Sequence, residues 1–95
     1  MRPLTLKDFK ALRELACSKD INDRLKAAQC EFAPKKVLSF LSEDTEWIVR
    51  LSVSMNSNIT ENLLNTMKKR EKEVIVLNQI NAELEHIRSM KALNR

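Results

Sequence analysis

Apolar residues recur along this chain at spacings of three and four. In LTLKDFKALRELA the set Leu6, Phe9, Leu12 and Ala16 follows a helical period, so residues 5–17 read as an entry helix, with Thr5 and Asp8 spaced like a capping box. The pattern then repeats over a longer distance. Laying the segment from Leu12 over the segment from Leu38 brings Leu15 onto Leu41, Arg24 onto Arg50, Leu25 onto Leu51 and Ala28 onto Ser54, an offset of 26 residues. A weaker third copy starts at Leu64, with Met67, Val74, Leu77 and Ile80 in the register of Leu41, Ile48, Leu51 and Ser54. Periods of about 20 to 50 residues mark stacked helical repeats.

Each copy predicts two short helices. The first opens at Pro34 or Thr60, because Pro suits the first helical position and Thr can accept a hydrogen bond from a free backbone amide. The second opens after SED or KRE and carries a broad apolar face in Trp47, Ile48, Val49, Leu51, Val53 and Met55. A helix apolar around most of its girth is expected to be covered on several sides. Ala82, Glu83 and Leu84 stand where the second copy breaks at Asn56, Ser57 and Asn58, so VIVLNQINAELEHIRSMKAL predicts one long helix to about residue 92. Val74, Leu77, Leu84, Ile87 and Ala92 would lie along one side, with a kink at Asn81 as the alternative.

The whole is expected to be a single all-α domain over residues 1–95, a short right-handed solenoid of about five or six helices with repeats starting near 12, 38 and 64. Its core would be Leu12, Leu15, Leu25, Ala28, Leu38, Leu41, Ile48, Leu51, Leu64, Met67, Leu77 and Ile80. Composition supports this. Gly is absent and Pro occurs only at Pro3 and Pro34, which removes the residues that make tight strand turns. No apolar run approaches the roughly 20 residues of a membrane span, and MRPLTLKDFK lacks a secretory core, so a cytoplasmic location is expected. Cys17 and Cys30 would stay reduced there. Without a CxxC pair or a nearby His they read as ordinary, partly buried residues rather than metal ligands.

WIVRLSVSMNSNITENLL carries a Val-Arg pair at Val49 and Arg50, a small residue at Ser54, an Asn at Asn56 and a helix-opening Thr60. This arrangement resembles the leucine-rich repeat variant motif of bacterial proteins, within the wider HEAT-like and armadillo-like families. The first copy keeps Arg24, Ala28 and Pro34 but has Asp23 and Cys30 for the Val and Asn, and the third has Val76 for the Arg. The resemblance covers roughly residues 12 to 82 and implies stacked helical hairpins. The iron-sulfur cluster of some members is not carried over, since the chain has no Cys-rich segment.

Little in the sequence points to catalysis. His86 lies among Glu83, Glu85 and Arg88 as a surface helix residue would, no Ser or Cys has a base beside it, and phosphate-binding Gly loops are excluded. No catalytic residue, metal or cofactor is therefore expected, and a non-enzymatic protein-binding adaptor is the leading reading. Its partner-binding residues would be Arg24, Lys26, Trp47 and Arg50 on the inner face of the solenoid. Arg24 and Arg50 share a repeat position, so they either form an exposed ladder or pair with carboxylates of the adjacent repeat and fix the stacking. The net charge of +4 suits a partner with an acidic surface. The alternative is nucleic-acid binding through a basic patch of Lys35, Lys36, Lys68, Lys69 and Arg70, against which stand few aromatics and interleaved acids. Uncapped terminal hairpins would be covered by the long C-terminal helix or by a second copy in a homodimer.

Overall fold

A computed structural model describes residues 6–93, with side chains from Asp8 onward. Six helices follow one another: α1 (Leu6–Ala16), α2 (Ile21–Gln29), α3 (Lys35–Leu41), α4 (Trp47–Met55), α5 (Glu61–Arg70) and α6 (Val74–Leu93). There is no strand among the described residues. Thr5, and with it the expected capping box, lies outside them.

The starts and stops follow local chemistry. Asp20 caps α2, its side chain accepting from the Asn22 amide at 2.9 Å, and Thr60 caps α5 by accepting from Leu63 at 3.2 Å. Pro34 is the N-cap of α3 rather than its first helical residue, one position earlier in role than the sequence suggested. Lys68, Lys69 and Arg70 occupy the last turn of α5, where positive charge complements the helix dipole. The C-terminal segment is one helix of 20 residues, unbroken at Asn81.

α4 packs against both α2 and α6, while α1 packs on α2 and α3, and α5 on α6. The result is a compact slab whose Cα positions span 39 × 32 × 16 Å. Leu38, Leu41, Leu64, Ile80, Val49, Val53 and Val76 are fully buried at its centre, with Leu12, Ala28 and Met67 beside them. Leu15, Leu25 and Leu51 are half-buried and pack on this core, and Leu77 is half-buried.

Three expectations are corrected. Ile48, placed in the core by its repeat register, is 39% exposed, and Val49 and Val53 take the buried face of α4 instead. The reason is that α4 has neighbours on only part of its circumference, so its wide apolar face is not covered all round. On α6 the buried side is Val76, Ile80 and Leu84 with Ile87 against them, whereas Val74 and Ala92 are exposed. Cys17 is exposed rather than partly buried, and Cys30 is half-buried.

Candidate functional site

Arg24 and Arg50 make the same set of bonds at equivalent positions. Arg24 Nε donates to Asp44 Oδ2 at 2.8 Å, and one terminal nitrogen reaches Oδ1 at 3.4 Å. The other terminal nitrogen donates to the carbonyls of Ser18 and Lys19, each at 3.0 Å. Arg50 grips Glu71 with bonds of 2.8 and 2.9 Å and donates its remaining nitrogen to the carbonyl of Asp44 at 2.7 Å. Each guanidinium thus ties the turn before its own helix to the turn of the following hairpin. A planar fork with fixed donors suits this, since it satisfies a carboxylate and a carbonyl at once.

These are enclosed contacts. The Glu71 side chain is 2% exposed and that of Arg50 19%. The hydrogen bond from Arg50 holds the Glu71 carboxyl below its usual value, against the opposing effect of burial, and the same bond raises Arg50. In the third unit the equivalent residue is Val76, fully buried. Beyond it the chain continues as one helix, so no following turn offers a carboxylate, and an apolar residue avoids an unpaired buried charge. Of the two arrangements the sequence left open, the geometry is that of struts between hairpins. A signal was present: an acid lies 20 residues after Arg24, at Asp44, and 21 after Arg50, at Glu71.

A second polar tie was not recognised from the sequence. Asn56, buried at the end of α4, donates to the carbonyls of Ala28 and Cys30 at 2.8 and 2.9 Å, and its oxygen accepts from the Asn58 amide at 2.8 Å. Asn58 in turn donates to Glu31 O at 2.6 Å. Side chains of one loop therefore satisfy the carbonyls left free at the end of α2. The segment read as a simple break is a staple.

With both arginines engaged, the accessible candidates are Trp47 and Lys26, each exposed. Trp47 begins α4, whose Ile48 and Met55 are exposed with it, and Val74 and Ile75 at the start of α6 are exposed as well. Ile48 and Val74 stand one repeat apart, as do Lys26 and Ser52. The packed pair α4 and α6 thus carries a cluster of large apolar side chains facing water, with Lys26 on the neighbouring α2. Isolated exposed apolar residues are ordinary, but several on adjacent helices mark an interaction surface.

The basic residues do not form one patch. Lys35 shares a groove with Thr60 and Asn62 at the start of α5, whereas Lys68, Lys69 and Arg70 end that helix, about 12 Å away along its axis. Lys36 lines a different groove, between α1 and α3. Arg70 is paired with Glu43 across the turns. The cleft of about 320 Å³ around that pair holds Glu43, Asp44 and Glu71 as well as Arg50, Arg70 and Lys72, so its charges are already balanced. His86 is exposed on α6, and no group of three metal-ligating side chains converges among the described residues. No described helix is long and apolar enough to cross a membrane. Compared with known proteins, the chain matches no family model, no curated protein and no solved structure.

Proposed function

We propose that this chain is a non-enzymatic protein-binding adaptor: a short right-handed solenoid of HEAT-like hairpins, of the leucine-rich repeat variant kind, that receives its partner on the α4–α6 face. The observation that carries the reading is the cluster of Trp47, Ile48, Met55, Val74 and Ile75 left exposed beside a well-filled core. The solenoid reading is supported by the recurrence, 26 residues apart, of both the apolar register and the bond from Arg24 to the Ser18 carbonyl and from Arg50 to the Asp44 carbonyl. Trp47 supplies a large anchor with few torsions to freeze, and Lys26 a cation suited to an acidic rim on the partner. Arg24 and Arg50 shape this face from behind instead of touching the partner.

The test is a comparison of surfaces. The chain immobilised and exposed to extract of its native cell should retain a discrete protein that survives nuclease treatment, and Trp47→Ala with Ile48→Glu should lose it while keeping the helical circular dichroism signal. Retention of the same protein by the double variant would refute the face. Binding to random-sequence duplex that weakens steeply with salt would instead favour the nucleic-acid reading.

A further inference from the structure

We infer that the groove between α1 and α3 is a second docking site, one that takes an acidic amphipathic helix from another protein. The groove has a volume of about 520 Å³ and shares no lining residue with the α4–α6 face. Ala16 and Val37, both buried, form its apolar floor. Its walls are built alike. α1 presents Phe9 and, one turn on, Arg13; α3 presents Lys36 and, one turn on, Phe40. Residues four apart share a helix face, so each wall offers an aromatic ring and a cation side by side.

Three observations say what belongs there. Phe40 is 56% exposed, a large ring held at the edge of an apolar trough in the free chain. Arg13 and Lys36 are exposed and enter no salt bridge among the described residues. No carboxylate lines the groove, although α1 also carries Asp8 and Glu14. An apolar trough between two unmatched cations is complementary to a helix with apolar anchors along one stripe and carboxylates on both flanks. A concave floor of small aliphatic groups suits side-chain anchors better than stacked bases, which want flat aromatic platforms along a longer basic track.

Cys17 lies on the same groove and is exposed, which provides a reporter. In a Cys30→Ser background, a synthetic helical peptide with Leu and Phe at i, i+3, i+4 and i+7 and Glu on the flanks should slow alkylation of Cys17. The same peptide with Lys for Glu should not. Arg13→Glu with Lys36→Glu should weaken the acidic peptide by about tenfold or more, with the thermal melt unchanged because both positions are exposed. Trp47→Ala with Ile48→Glu should leave this binding intact, which separates it from the adaptor face. Equal protection by the acidic and basic peptides, protection by neither, or preferential protection by a single-stranded oligonucleotide would overturn the inference. So would self-association of the chain that the charge reversals abolish, since the occupant would then be a second copy.

Discussion

Arg50 is the residue on which local stability turns. Replacing it with Ala leaves the Glu71 carboxylate enclosed and frees the Asp44 carbonyl, and breaking a buried pair costs roughly 3 to 5 kcal/mol. Because Arg50 keeps some contact with water, the loss should fall near the lower end, about 3 kcal/mol by urea unfolding. An effect under about 0.5 kcal/mol would class the pair with ordinary surface contacts. The pH dependence follows from the sign of the shift. Glu71 titrates below its ordinary value of 4.5 chiefly because Arg50 donates to it, so the stabilisation is complete above that value and is lost as pH falls through the lowered folded one. Glu71→Gln should therefore flatten the decline of Tm with acidification below about pH 5, measured against the parent chain. An unchanged acid limb would show that other carboxylates carry it.

The helices themselves were largely legible, because caps and periods are local: Asp20 and Thr60 act through amides two and three residues on. Thr60→Ala should cost about 1 kcal/mol, read from thermal melts. What local pattern could not supply is how elements meet. Ile48 and Val49 are equally apolar and adjacent, and only the placement of α2 and α6 decides that Val49 is covered and Ile48 is not. Asn56 looked like a helix break for the same reason, since its partners lie 26 and 28 residues earlier. Its replacement by Ala strands two carbonyls and should cost about 2 kcal/mol, with amide exchange at the end of α2 rising more than in α5. Uniform acceleration across all helices would indicate global destabilisation without a specific staple.

At the scale of the whole molecule, the polar ties and the apolar surface divide the work. Arg24, Arg50 and Asn56 fix hairpin to hairpin, so the α4–α6 face is presented on elements that are already braced. The sequence indicated Trp47 as an anchor and the arginines as candidates for either role. Assigning them required knowing where Asp44 and Glu71 fall in space. Their neighbours Val74 and Ile75 were hidden by the assumption that the whole apolar stripe of α6 faces inward. A photo-crosslinking amino acid at position 48 or 74, activated in the native cell, reads the face in place, with exposed Asn65 on α5 as the control position. The adaptor reading predicts an adduct with one other protein from positions 48 and 74 and none from 65. No adduct from either face position, or one only at twice the 11.0 kDa of the chain, would contradict it.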